Sequence, residues 1–218
     1  MKLSEKTISI LKNYSTINQN LMITSGNTLS TMSAMKNIVA KAGVDETFDK
    51  DVAIYDLNEF LACMSLFIDP ELDFQDDYVI MSDNSNKLKY WYSDPSVVTT
   101  VTNDISMPDS EIEFSLSTDQ YENIKKAAAV ISAPDMVLEP NGLKVTDKKN
   151  DTANDYSLPL SQSGSDHADY KFWFKVENLK IMPGQYDVKV SSKNISSFKN
   201  CNIDIQYFIA LEPESYYA

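Results

Sequence analysis

Leu3-Ser4-Glu5-Lys6-Thr7-Ile8-Ser9-Ile10-Leu11-Lys12-Asn13-Tyr14-Ser15-Thr16-Ile17 is the stretch whose reading decides the fold. At about 100° per residue, Leu3, Thr7, Ile10, Tyr14 and Ile17 share one stripe with Ile8 and Leu11 beside it, which predicts an amphipathic helix. Lys2, Lys6 and Lys12 fall on the opposite face, with Glu5, Ser9 and Asn13 between them. The device returns about half a chain later. Leu116-Ser117 repeats Leu3-Ser4, and Ser117 with Gln120 has the spacing of a capping box. A helix over 117–132 would bury Leu116, Gln120, Ile124, Ala127, Ala128 and Ile131, with Lys125 and Lys126 flanking its exposed face. The pattern is that of a doubled domain presenting cations from helices.

Working outward, strand character appears over 21–24, 28–32 and 38–41, the first two separated by Ser25-Gly26-Asn27. A strand over 51–55 runs directly into a helix over 56–67, with Asp56 placed as its N-cap and Pro70 beyond its end. Strands over 78–81 and 87–92 follow, with the acidic segment around Asp73, Asp76 and Asp77 read as a loop. From 93 to 110 the composition turns to Pro, Ser, Thr, Asp and Val without a helical period. This places a boundary, giving domains over 1–94 and 111–218 joined by a connector over 95–110. After the second helix, strands are predicted over 136–138, 143–146, 156–160 and 170–175. The last of these feeds a short fourth helix over 176–181, ended by Pro183-Gly184 and carrying Lys180, and strands over 185–191 and 202–211 close the chain. The strand-to-helix joint at 51–61 thus has a counterpart at 170–181. The fold class expected is α+β, two similar domains each with two helices packed on antiparallel sheet.

At 218 residues, each half is large enough to bury its own core. An apolar content of 43% excludes a disordered chain, and no apolar run approaches the roughly 18 residues of a membrane span. The charged start, Met1-Lys2-Leu3-Ser4-Glu5-Lys6, lacks the apolar region of a signal peptide, so a soluble, non-secreted protein is expected. The three Asn-x-Ser/Thr matches, at Asn13, Asn150 and Asn194, then carry no chemistry. Cys63 and Cys201 form neither a disulfide framework nor a zinc spacing.

A net charge of -13 would ordinarily argue against nucleic acid, because affinity there comes from neutralising phosphates. Distribution matters more than the sum. All 19 basic residues are lysine, so the guanidinium fork that reads guanine is missing and any DNA contact would be to the backbone, without sequence preference.

The motifs of an enzyme are sparse. His167 lies in a Ser/Gly/Asp stretch with no second imidazole in the chain, which favours a solvated loop histidine over a metal or triad role. Asp147, Asn150, Asp151, Asn154 and Asp155 have the composition of calcium ligands but not the glycine and terminal glutamate of an EF-hand. Glu177, Asp56 and Glu59 sit near predicted helix starts, where they complement the helix dipole. There is no phosphate-binding glycine loop. The reading is therefore a non-enzymatic binding protein with no metal and no cofactor. A β-rich oligomeric assembly protein with merely solvated lysine faces is the alternative, and a small hydrolase using His167 ranks last.

Several segments carry a resemblance: Lys2-Leu3-Ser4, Leu11-Lys12-Asn13-Tyr14-Ser15-Thr16-Ile17-Asn18, Asp51-Val52-Ala53-Ile54-Tyr55-Asp56-Leu57-Asn58 with Phe60-Leu61, Met182-Pro183-Gly184-Gln185-Tyr186, and Tyr207-Phe208-Ile209-Ala210-Leu211-Glu212. Together they resemble the DNA polymerase sliding clamps of T-even-type bacteriophages, related in fold to the proliferating cell nuclear antigen. The resemblance implies a homotrimeric ring whose helices face a central hole occupied by double-stranded DNA. It would place Lys2, Lys6, Lys12, Lys125 and Lys126 towards phosphates, with Lys180 as a further candidate. It also implies tethering of the replicative polymerase, an ATP-driven clamp loader, use by late transcription factors, and action in the cytoplasm of an infected bacterium. Partner peptides would insert beneath the connector, making Val98, Val101, Ile105, Phe208, Leu211 and Pro213 the pocket candidates.

Overall fold

Ser4 starts the first helix, its hydroxyl accepting from the N–H of Thr7 at 3.2 Å, and α1 runs over Glu5–Ile17. Thr7, Ile10, Leu11, Tyr14 and Ile17 are buried, so the helix seats itself on the stripe that the 3.6-residue period marks out. Lys2 precedes the helix instead of lying on it. The computed structural model describes residues 1–102, 104–163 and 169–218. They fall into two compact units, Met1–Asp104 and Ile105–Ala218.

In the first unit, β1 (Leu21–Ile23) pairs antiparallel with β4 (Val52–Ile54), and β2 (Gly26–Met32) with β3 (Ile38–Phe48). β3 continues to Phe48, well past the predicted end at 41. β4 runs into α2 (Leu57–Met64), where the Asp56 carboxylate accepts from the N–H groups of Asn58 and Glu59. Leu57, Phe60 and Met64 are its buried side, and Phe60 meets Tyr90 edge to face with ring centroids 5.3 Å apart. β5 (Glu71–Phe74), β6 (Tyr78–Ser82) and β7 (Lys87–Trp91) form an antiparallel meander. β5 corrects the acidic-loop reading: Leu72 is buried between exposed Glu71 and Asp73, the alternation of a half-solvated strand.

In the second unit, β8 (Ile112–Leu116) takes Leu116 out of the helix to which its spacing assigned it, pairing it with Tyr186. α3 (Thr118–Val130) follows, buried through Tyr121, Ile124 and Ala128. β9 (Asp135–Glu139), β10 (Gly142–Thr146), β11 (Tyr156–Leu158), β12 (Gln162–Ser163) and β13 (Tyr170–Lys175) come next. They precede β14 (Tyr186–Ser191), β15 (Ile195–Asn200), β16 (Ile205–Ala210) and β17 (Tyr216–Tyr217). One antiparallel sheet has the order β11-β10-β9-β13-β17, and β12-β8-β14-β15-β16 lie side by side in another. The architecture is α+β throughout.

The expected fourth helix is a single 3₁₀ turn over Val176–Asn178. Two causes are visible. Lys175 at its start makes no side-chain cap bond, whereas Asp56 caps α2 twice. Beyond the turn, Leu179 leaves the helical region with φ -78° and ψ 55°, and it and Ile181 are buried on either side of a half-exposed Lys180. Lys180 therefore lies after the turn and on no helix.

The α3 start is a complete capping box: the Ser117 hydroxyl accepts from Gln120 N–H at 3.2 Å, and the Gln120 side chain accepts from Ser117 N–H at 2.9 Å. Ser117→Ala should cost about 1 kcal/mol of stability in urea unfolding, with Ser117→Thr retaining most of it.

Candidate nucleic-acid interface

Two tyrosines set which side of each long helix meets solvent. Tyr14 is fully buried, and its hydroxyl donates to Leu29 O at 3.1 Å. Tyr121 is its counterpart on α3, donating to Leu179 O at 3.0 Å and Ile181 O at 2.9 Å. Burial pushes both phenols well above the ordinary tyrosine range, so they remain neutral donors. A phenol buried without a partner would be costly, so each helix has one favourable rotation about its axis. Periodicity placed Gln120 in the buried stripe of α3; the structure puts Tyr121 there and uses Gln120 in the cap.

With those rotations fixed, Lys12 is exposed on α1 and Lys125 and Lys126 are exposed on α3. Among the described residues none of the three forms an ion pair. The Lys125 ammonium sits 5.3 Å from the centroid of the Tyr121 ring, which leaves its charge uncancelled. Lys6, in the first turn of α1, is half-buried and pairs with Asp45 at 3.0 Å. Lys2 pairs with Asp69. Lys180 is held beside α3 by the Tyr121 hydroxyl, which binds the carbonyls on either side of it. In the first unit Lys6 and Lys12 thus lie on α1 with Lys2 just before it; in the second, Lys125 and Lys126 lie on the solvent side of α3 and Lys180 in a loop beside it.

The amino end of α1 is fixed by a group with no local sequence signal. Glu46 of β3 accepts from the Ser4 N–H and from the Thr7 hydroxyl, placing a carboxylate at the positive end of the helix dipole. Partial burial works to raise its pKa, but the Thr7 and Ser4 bonds outweigh it and hold the carboxyl below the usual glutamate range.

The apolar candidates divide between the units. In the first, Val98 is buried and Val101 half-buried; in the second, Phe208 and Leu211 are buried while Ile105 and Pro213 are exposed. In the polar stretch 147–155, Asp147 accepts from Lys149 N–H at 3.0 Å and Asn150 from Thr152 N–H at 3.1 Å, while Lys148 reaches out of it to Glu212 at 3.3 Å and Glu214 at 3.2 Å. His167 lies outside the described residues. No described helix is long and apolar enough to cross a membrane.

Comparison with known proteins decides the family. Residues 2–100 match the model for DNA polymerase processivity factors, and residues 112–213 match that for the gp45 sliding clamp, C-terminal part. The sliding clamp of Vibrio phage KVP40 is 30% identical over 97% of this chain and 99% of its own. The chain belongs to the phage sliding-clamp family of DNA polymerase processivity factors. The clamp of Enterobacteria phage T4 is 27% identical over 99% of this chain and 98% of its own. Clamps from other kingdoms share the fold. The proliferating cellular nuclear antigen of Entamoeba histolytica superposes with a TM-score of 0.66 over 94% of each chain, at 15% identity. The A. fulgidus antigen, solved with the C-terminal region of FEN-1, gives 0.71 over 99% of this clamp and 98% of that chain, at 11% identity. The Helicobacter pylori β clamp bound to a DNA ligase peptide gives 0.62 over 99% of this clamp and 68% of that chain, at 15% identity.

For this clamp the Glu46 contact generates a pH test. A depressed carboxyl contributes stability above the unfolded glutamate value, about 4.3, and loses it as pH falls through the lower folded value. Glu46→Gln should lower the thermal midpoint at pH 7, and the gap to the unaltered protein should narrow once pH falls below about 4.3 and close as it passes the lower folded value, read by circular dichroism across a pH series.

Proposed function

We propose that this clamp encircles duplex DNA as a closed ring of three copies and tethers the replicative polymerase, without catalysing a reaction itself. One observation carries the DNA side of this reading: in a chain of net charge -13, both units present lysines that form no ion pair among the described residues, from the solvent side of a helix rotated by a buried tyrosine. Lysine suits the task. Its point-charge contacts to phosphate exchange readily with counterions, so successive positions along the duplex differ little in energy and the ring slides. The acidic remainder repels DNA and discourages binding elsewhere.

The pore residues in this reading are Lys12, Lys125 and Lys126, with Lys2, Lys6 and Lys180 at their margins. Polymerase, an ATP-driven loader and late transcription factors are the partners it implies, in the cytoplasm of the infected cell. Relatives of the fold have been solved with peptides of DNA ligase and of FEN-1. We place the corresponding docking on the second unit, at Ile105, Phe208, Leu211 and Pro213.

Light scattering over a concentration series should give a mass tending to three times 24.6 kDa; a concentration-independent monomer would overturn the ring. Replacing Lys6, Lys12, Lys125 and Lys126 together with Glu should abolish DNA-dependent stimulation of polymerase while leaving that mass unchanged. Undiminished stimulation would remove these lysines from the pore.

A further inference from the structure

The two long helices are built alike but differ in how their cations are compensated. On the second unit, Lys125 and Lys126 carry no ion pair among the described residues. On the first, Lys6 is engaged by Asp45 at 3.0 Å and Lys2 by Asp69, leaving Lys12 as the cation of α1 with no ion pair among the described residues. Neither carboxylate is a near neighbour in sequence, since the pairs span 39 and 67 residues.

Asp45 is held in position. It precedes Glu46, whose carboxylate is anchored on the Ser4 N–H and Thr7 hydroxyl, so β3 is locked against the first turn of α1 where Lys6 lies. Asp69 reaches Lys2 from a left-handed backbone with φ of 57°, a conformation that an aspartate adopts at some cost. The side chains remain wet: 31% exposed for Lys6, 66% for Asp45, 58% for Lys2 and 65% for Asp69. Ion pairs this exposed are weak and screened by salt, so a phosphate can displace the carboxylate and be displaced by it.

We infer that Asp45 and Asp69 limit the grip of the ring on DNA, each carboxylate competing with phosphate for the lysine it holds. The inference rests on the pore reading above. The resting contact with DNA is then carried by Lys125 and Lys126 of the second unit and Lys12 of the first. Lys6 and Lys2 form a reserve that engages only by exchanging one anion for another. Such an exchange keeps a sliding contact shallow, because leaving a phosphate never strands a bare cation.

The test compares Asp45→Asn, Asp69→Asn and the double variant with the unaltered protein. It reads affinity for a short labelled duplex by fluorescence anisotropy across a salt series, and sliding of loaded rings on long DNA by single-particle tracking. Each released lysine that reaches phosphate should steepen the log–log salt dependence by about 0.9. Between 50 and 200 mM salt that amounts to about 3.5-fold per lysine. The double variant should therefore bind several-fold tighter at low salt, lose most of the gain at high salt, and slide more slowly. Adding Lys6→Gln to Asp45→Asn should return affinity to the starting value.

Asp76→Asn supplies the charge control, because Asp76 pairs with Lys50, a lysine that the pore reading does not use. An equal shift there would overturn the inference in favour of a general charge effect. A lowered thermal midpoint with unchanged binding would overturn it too, assigning the carboxylates to support of the helix alone. If binding ignores the aspartates but is lost on replacing Lys12, Lys125 and Lys126, the inference fails and the pore reading stands. If it ignores both sets, the pore reading fails and the inference with it.

Discussion

The solvent-facing chemistry of this clamp depends on a constraint inside it, the satisfied hydroxyl of one buried tyrosine per long helix. A helix held only by aliphatic side chains can roll slightly at little cost, because dispersion and burial are non-directional. A phenol that must find a carbonyl oxygen cannot. Tyr14 finds Leu29 O, and Tyr121 finds the carbonyls of Leu179 and Ile181. The angular position of every lysine on α1 and α3 follows from those bonds. The second unit builds its anchor with a loop where a fourth helix was expected, so the loop segment from Leu179 to Ile181 does for α3 what strand β2 does for α1.

The ends of the helices are secured independently of their rotation. Ser4 and Ser117 occupy the same cap position, but the supporting acceptor differs: Glu46 comes from a distant strand in the first unit, and Gln120 comes from the helix itself in the second. Both arrangements satisfy the backbone N–H of the capping serine. The Glu46 solution also ties β3 to the helix, and it is this tie that brings Asp45 within reach of Lys6.

Much of this was legible in the chain. The stripe from Thr7 to Ile17, the Asp56 cap and the Ser117–Gln120 box depend on spacings of three and four residues, which a sequence displays directly. What stayed hidden had non-local or disguised causes. β15 reads as polar because Ser196 and Ser197 occupy buried positions; they are accommodated by a bond from the Ser196 hydroxyl to Ile209 O and one from the Gln206 amide to the Ser197 hydroxyl. Tyr121 stays hidden because Leu116, Gln120, Ile124 and Ala128 line up at a spacing of four, which draws the apparent stripe through Gln120. The turn at 176–178 looked like a helix because its missing cap is an absence, and its alternation of Leu179 and Ile181 is only two residues long. The candidate lysines could be named from the face they share, but which of them are paired could not, since Asp45 and Asp69 approach from across the first unit.

The separation between a fixed anchor and an open face has a consequence for how such proteins diverge. Tyr14 and Tyr121 tolerate little change, because any substitute must fill the same volume and satisfy or delete the same carbonyl bond. Positions such as Lys12, Lys125 and Asp45 bear no such burden. In the proposed pore, a lineage can therefore retune its hold on a genome one surface residue at a time, while the scaffold that aims those residues stays as it is.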